Sequence, residues 1–430
     1  MDRWPVGCFS VLELQRVVGC AEVLDRSCAV RCHWGHWVSD VGRPGTICVV
    51  RMTSYYVFET LTGKQVSEFT PSKAEWTLGT NDPDSVAVTL NLNDPATKAQ
   101  DWRNLGTPWK HSIAVEEHGR FIGGPIMPYD WDEDKADLKL TARGPKVIFD
   151  RVPILPVSAM TGSLVGPDGL PNLAYDTNLS LWDYGTFGKK IVQQAMTWPA
   201  TGLPVVFHAD RLDPFTQTVK NYSAIALKSV GSALDDLCGL ENGPDIRFQL
   251  TRNGPDAFQW VYESGTREFP RLQGPNTFTW ELNADEATGS GLSVGSDPSG
   301  MASISWGVAG RSDDKVLLSR VIDTRLIDSG YPLLHTVDSS HSSIELQSTL
   351  DSLVTENLRT AGRPAEFWSF KARLSASPYL NEYNTGDLVT IVVQDSKFQP
   401  VGQFTRRIAA MSGDEKGDWV KITCGEVYGG

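Results

Sequence analysis

The alternation of apolar and polar residues along most of the chain has the two-residue period of half-buried β-strands. In the run 86–93, Val86, Val88, Leu90 and Leu92 alternate with Ala, Thr and Asn residues. A turn cluster at 81–84 precedes this run, and a second apolar run at 76–78 precedes the turn. Residues 76–93 are therefore predicted to form a hairpin.

The next segment continues the β pattern. Strands are predicted at 113–115 and 121–126 on either side of a turn at 117–120, and again at 138–140 and 147–149. One short helix is expected to begin at Asp94-Pro95, where the Asp can cap free amides and the Pro fits the first turn, and to end near Gly106. Residues 52–150 are thus predicted to form a small antiparallel barrel or sandwich of five or six strands.

The middle of the chain mixes helical and strand patterns. Apolar residues recur at helical spacing in three segments, 187–196, 232–240 and 343–361, with Ser342 or Ser343 as a candidate cap of the third. Strands are predicted at 245–250 and 258–262, and the Gly/Ser/Asp-rich run 281–300 is predicted to be an exposed loop.

Strand patterns return near the end of the chain and complete the predicted architecture. We predict a mainly β protein with an α+β middle, in which two small antiparallel β-barrel-like domains are separated by mixed helical and strand segments. The boundaries are an N-terminal extension at 1–51, a first β-domain at 52–150, a middle region at 151–370 and a last β-domain at 371–430.

Composition narrows the class of protein. The 430 residues suggest two to four domains, and the 40% hydrophobic and 21% charged content is ordinary for a globular chain. No apolar run is long enough for a membrane span. The formal net charge of −13, with no basic block, disfavours tight binding to nucleic acid through its phosphates.

The first 51 residues differ from the rest. Five of the seven cysteines lie there, before Met52, whereas a secreted disulfide domain spreads its cysteines through its core. One interpretation is a zinc module of Cys28, Cys32, His33 and His36, although the spacing is tight and no second Cys pair follows. A signal peptide is another, although no clean apolar core follows a basic start. The favoured interpretation is a non-native or poorly ordered extension translated from upstream of a start at Met52.

Two motifs could carry catalysis. Gly291–Gly295 matches the Gly-x-Ser-x-Gly nucleophile elbow around Ser293, but no core strand precedes it and Asp297-Pro298 stands where a helix should begin. Asp130, Asp132, Glu133 and Asp134 surround Trp131 and could serve a glycosidase, but nearly consecutive acids in a hairpin turn favour a solvated turn.

No further catalytic, cofactor or metal residues are predicted. The histidines after Met52 form neither His-x-x-x-His nor His-Glu-x-x-His, and the Gly-rich nucleotide-binding motifs are missing. From the residues alone, the chain is predicted not to be an enzyme.

Two stretches resemble a known family. The first is 111–151, with Glu117-His118-Gly119-Arg120-Phe121, then Gly124-Pro125-Ile126, an acidic turn and Ala142-Arg143-Gly144. The second is 375–427, with Pro378-Tyr379-Leu380, then Thr385-Gly386-Asp387-Leu388-Val389 and Arg406-Arg407-Ile408. In their order they resemble the opening and closing β-domains of the tail hub proteins of long-tailed phages, known as minor tail proteins in phages of actinobacteria.

The resemblance implies a structural role. Such a protein would form a homotrimeric ring at the tail tip of the virion, with two β-domains per copy giving pseudo-sixfold symmetry. It would contact the distal tail protein and tail tube above, fibre or spike proteins below, and the tape measure protein. It would also line the channel through which genomic DNA passes, where an acidic wall would repel phosphates.

The sequence is also compatible with two other classes of function. One is a tail-associated carbohydrate-binding or cell-wall-degrading protein that uses the Trp131 turn or Ser293. The other is a secreted, metal-stapled bacterial protein that depends on the cysteine-rich start.

Overall fold

The computed structural model describes residues 53–213, 219–240, 243–282, 288–312, 315–339, 344, 346–361, 365–415 and 418–425. The contacts divide the chain into Met1–Arg51 and Met52–Gly430. The predictions for 1–51, including the zinc set Cys28, Cys32, His33 and His36, lie outside the described residues, as do the candidate caps Ser342 and Ser343.

The protein is mainly β, which confirms the predicted fold class. The described strands are β1 (Thr53–Glu59), β2 (Gln65–Phe69), β3 (Lys73–Gly79), β4 (Ser85–Asn91), β5 (His111–Glu117), β6 (Arg120–Asp132), β7 (Asp137–Arg143), β8 (Thr177–Ser180), β9 (Val205–Phe207), β10 (Val219–Tyr222), β11 (Ile246–Arg252), β12 (Phe258–Ser264), β13 (Thr277–Leu282), β14 (Gly289–Asp297), β15 (Ile304–Ser312), β16 (Lys315–Ile322), β17 (His335–Asp338), β18 (Ala365–Arg373), β19 (Leu388–Val393), β20 (Gly402–Asp414) and β21 (Trp419–Gly425).

The helices are fewer and mostly short. They are α1 (Pro95–Lys98), α2 (Trp102–Leu105), α3 (Lys146–Phe149), α4 (Tyr184–Ala195), α5 (Val230–Cys238), α6 (Arg325–Asp328) and α7 (Gln347–Ala361), with 3-10 turns at Val157–Met160, Leu173–Tyr175 and Ala224–Ala226. Among the described residues, no helix is both long and apolar enough to cross a membrane.

The N-terminal β region is a run of antiparallel neighbours in the order β3-β4-β7-β6-β5-β1-β2. The β5–β6 hairpin turns through His118 and Gly119, whose φ angles of 47° and 79° suit a tight two-residue turn. Asp94 caps α1 by accepting from the Ala96 amide, as expected, but a second cap at Asp101 starts a separate helix. The one helix predicted here is therefore two.

The C-terminal β region gathers strands from two parts of the chain. Its pairings run continuously through β19, β13, β14, β18, β21 and β20 and back to β19. β13 runs parallel to β19, so this region is not purely antiparallel. Since β13, β14 and most of β18 precede residue 371, the strands that pair with the last segment begin well before it.

A single strand joins the two β regions. The thirteen-residue β20 pairs through 402–407 with β19 and through 410–414 with β3. The result is one thirteen-stranded sheet. Its inward side chains form one continuous core that includes Trp76 from β3, Met411 from β20 and Trp280 from β13.

The middle region has a second core. The helices α4 and α5 pack over β11 and β12, with Phe187, Leu234 and Trp260 buried there. Helix α4 starts three residues before the predicted 187, because Asp183 caps it by accepting from the Thr186 amide. Farther along the chain, β15, β16 and β17 form a small sheet against α7.

Two further predicted elements are wrong. Residues 147–149 were expected as a strand but form α3, because a three-residue apolar run does not distinguish the two states by its period. The run 281–300 was expected as a loop, yet its residues 289–297 form β14 and pair with β18. Pairing with a neighbouring strand outweighs the weak strand propensity of its Gly and Ser residues.

Candidate functional site

The Gly291–Gly295 motif does not form a nucleophile elbow. It lies within β14, where Ser293 is exposed and pairs with Ser369 of β18. An elbow requires a sharp turn between a strand and a helix, with the serine at the turn. The structure therefore gives Ser293 none of the backbone geometry of a hydrolase nucleophile.

The acidic turn around Trp131 is stabilised by its own residues. Asp132 accepts from the Lys135 side chain at 2.5 Å, which holds the pKa of the Asp132 carboxyl below its usual range. The Trp131 ring nitrogen donates to Glu133 at 2.7 Å. These contacts are local and exposed, as a solvated turn requires, and within the described residues no three His, Cys, Asp or Glu side chains gather as a metal site.

These placements give a direct test of the enzymatic alternative. We expect Ser293→Ala and Asp132→Asn to leave any release of product from peptidoglycan and ester substrates unchanged, because Ser293 lies in a paired strand and Asp132 is held by Lys135 in an exposed turn. Release of soluble fragments or free acid is the measurement. Activity in the parent chain that either substitution abolishes would contradict this interpretation.

The most constrained polar site lies where the two β regions meet. Arg120, the first residue of β6, is 8% exposed and reaches across to the loop before β19. Its Nε donates to the Leu380 carbonyl at 3.1 Å, its Nη1 to Asn384 Oδ1 at 2.8 Å, and its Nη2 to the Tyr383 carbonyl. One planar guanidinium thus holds three acceptors of a loop that lies 260 residues away in sequence.

Asp387 stabilises the loop that Arg120 contacts by accepting hydrogen bonds from backbone amides. One carboxylate oxygen accepts from the Asn384 amide at 2.7 Å and the other from the Gly274 amide at 2.6 Å. Gly386 has a φ of 97°, and a β-carbon there would lie 2.0 Å from the Leu272 carbonyl oxygen. A glycine is therefore required at this position.

Asp245 is a second buried residue that joins the two β regions where they meet, at the site called here the junction. Its carboxylate is 1% exposed and pairs with Arg407 of β20 and, at 3.4 Å, with Arg271. It also accepts from the Leu272 amide at 2.9 Å and the Asn81 side chain at 3.2 Å. Asp245 thereby connects the middle region to both β regions.

Burial shapes the electrostatics of this site. Desolvation lowers the pKa of Arg120 to about 10, even though the carboxylates of Asp84 and Asp387 favour its charge. Desolvation also raises the pKa of Asp84 to about 7, against the attraction of Arg247 and Arg120. The junction therefore contains a carboxyl group whose charge is only marginally stabilised at neutral pH.

An open cleft of about 740 Å³ borders the junction, lined by Arg120, Arg247, His208, Asn384 and Tyr262 among others. On one wall, His208 Nε2 lies 2.9 Å from Ser264 Oγ, which also accepts from Arg211 at 2.6 Å. Burial lowers the pKa of His208. Ser264 is buried and its hydroxyl is shared with Arg211, so this pair stabilises the wall of the cleft.

In the structure, residues from separate sequence motifs contact one another. Arg120 belongs to the Gly119-Arg120 turn, whereas Leu380 and Asp387 belong to the two motifs near the end of the chain. Asp245 and the His208–Ser264 pair were not predicted, because no motif or short spacing marks them. For the contacts of Asp245, the sequence offered only Arg407, which lies in the Arg406-Arg407-Ile408 segment.

Comparison with solved structures shows which known proteins have a similar fold. The tail protein from Neisseria meningitidis MC58 superposes with a TM-score of 0.50 at 13% identity, over 86% of this chain and 96% of that one. This chain has the fold of that tail protein. A 43 kDa tail protein of prophage MuSo2 from Shewanella oneidensis matches at 0.48 and 11% identity, over 87% and 98% of the chains.

A prophage tail protein from Listeria monocytogenes matches at a TM-score of 0.45 and 13% identity, over 88% of this chain and 95% of that one. No protein-family profile matches the sequence. No curated protein matches it either. The likeness therefore concerns the fold.

Proposed function

We propose that this chain is a structural protein of the phage virion, a tail hub of the kind known as a minor tail protein in phages of actinobacteria. It has no catalytic, cofactor or metal site in this proposal. The observation that carries it is the junction, where β20, Arg120 and Asp245 join two β regions into one body. A ring component needs its two β regions at a fixed mutual angle.

The proposed assembly is a homotrimer at the tail tip. Three copies, each with two β regions, would supply six β elements facing the sixfold tail tube and distal tail protein, while the threefold side would meet fibres or a spike. The tape measure protein and the genomic DNA would pass through the ring. A formal net charge of −13 suits a channel that DNA must cross without adhering.

Mass measurement of the purified full chain tests this assembly. We expect light scattering to give three times the mass of the 47.2 kDa monomer. We also expect antibody against the chain to label the tail tip of virions in electron micrographs. Label on the capsid or along the tail tube would contradict the proposed location, whatever the mass in solution.

A further inference from the structure

Two exposed apolar surfaces on this chain have no covering element among the described residues. The first, here called the apolar loop, is residues 156–175. It exposes 71% of Leu173, 63% of Leu170 and 57% of Met160. Apolar surface of this extent is typical of interaction sites.

The apolar loop is internally ordered. The Gly166 amide donates to the Leu170 carbonyl at 2.8 Å, and the Asn172 amide donates to the Leu164 carbonyl at 2.9 Å. The backbone that carries its exposed leucines is therefore ordered before a partner binds. This reduces the conformational entropy that is lost on binding. Asp168 is the sole charged residue in 156–175.

The second surface, here called the outer sheet face, belongs to β15, β16 and β17. Its apolar side chains are Ile304, Trp306, Val308, Val316, Leu318, Ile322 and Val337. The opposite face of the same sheet packs on α7, because a β-carbon at Gly307 would lie 2.4 Å from Val354. In this mixed sheet, a face exposed to solvent would be expected to carry alternating polar residues.

The outer sheet face is apolar where a solvated face would be polar. Val316 is 66% exposed and Val337 is 65% exposed. The face also carries two polar side chains against the Trp306 ring: the exposed cation Arg320, at 5.3 Å from the ring centroid, and His335, which stacks on the ring. A mainly apolar surface that carries the Arg320 charge is complementary to an ordered apolar loop with a single negative charge.

We infer that the apolar loop of one copy of this chain docks on the outer sheet face of the next copy, with Asp168 facing Arg320. Because the two surfaces are unlike, the contact is head-to-tail, and repeated head-to-tail contacts close into a ring when the rotation permits. This inference rests on the proposed trimer and identifies the surfaces that form it.

Complementation between two variants of the full chain tests the pairing. Leu170→Asp with Leu173→Asp disables the loop, and Val316→Asp with Leu318→Asp disables the face. Each double variant alone should self-associate at least about tenfold more weakly than the parent. Mixed together, they should form a dimer, since the intact loop of one variant fits the intact face of the other. Phe398→Asp, at an exposed site elsewhere, is the control that keeps the trimer.

Charge reversal gives an independent readout. Asp168→Arg and Arg320→Asp should each weaken association, and a chain carrying both should recover it, which a folding defect would not do. A parent trimer that neither double variant weakens overturns the inference while leaving the trimer intact, as does a mixture that remains monomeric. A parent chain that stays monomeric at every concentration also overturns it. Loss of the trimer on deleting residues 1–51, with no effect of the loop variants, also overturns the inference.

Discussion

Arg120→Ala should lower the free energy of unfolding by about 4 kcal/mol, since it leaves two buried carbonyls and one partly buried amide oxygen without their donor. The acceptors are the carbonyls of Leu380 and Tyr383 and the side chain of Asn384. Leu380 and Tyr383 are almost fully buried, so their carbonyls have little access to water as an alternative partner. Urea unfolding followed by tryptophan fluorescence measures the loss.

Arg120→Lys should recover little of this stability, because one ammonium group cannot span three acceptors in the way a planar guanidinium does. Arg103→Ala is the matched control. Arg103 donates to the Tyr129 hydroxyl at 2.9 Å in an exposed contact, and its loss should change stability by less than about 0.5 kcal/mol.

Hydrogen exchange distinguishes a local role from a general one. In Arg120→Ala, the amides of 384–387 should exchange faster than in the parent, because they are protected by the loop that Arg120 holds. If Arg120→Lys is as stable as the parent, or if exchange in this loop is unchanged in Arg120→Ala, then Arg120 does not lock the two β regions.

The local elements of this fold were largely predictable from sequence. The alternation in 76–93 predicted a hairpin that the structure places at β3 and β4, with Trp76 opposite Val86. The spacing of Leu350, Val354 and Leu358 predicted the long helix α7. Each of these signals depends on which side of one element is buried, and that information lies within a few residues of sequence.

The assembly of those elements was not predictable in the same way. The β20–β3 pairing joins residues more than 300 apart, and nothing in Lys73–Gly79 specifies its partner. The sheet of β15 to β17 was not predicted, because β16 is apolar on both faces and shows no alternation. That departure from a normal strand pattern is the feature from which we infer a partner.

The polar contacts of the junction were likewise not predictable from the sequence. Arg120 stood out in the sequence through its place in a turn motif, but its acceptors are two backbone carbonyls and an amide oxygen, which carry no sequence signature. Asp245 pairs with Arg407, 162 residues away. A buried polar network of this kind is specified by three-dimensional proximity, so residue patterns predict its members poorly.

Asp84, in the β3–β4 turn region, should contribute less and less to the free energy of unfolding as pH rises from about 4 to about 7. Burial raises the pKa of Asp84 from 3.8 in an exposed chain to about 7 in the fold. Below pH 4 the carboxyl group is neutral in both the folded and the unfolded chain. It then has no effect on the free energy of unfolding. Between these pH values the unfolded chain loses the proton first, so ionisation favours unfolding.

Asp84→Asn should remove this dependence by keeping the side chain neutral at every pH. The variant should be more stable than the parent at pH 8, by up to about 4 kcal/mol, and the two should converge near pH 4. Asp82→Asn, two residues away and exposed, is the control, with an expected change within about 0.5 kcal/mol. Urea midpoints at pH 4, 6 and 8 are the measurement. If Asp84→Asn is less stable than the parent at pH 8, then the charged Asp84, drawn to Arg247 and Arg120, stabilises the junction despite its burial.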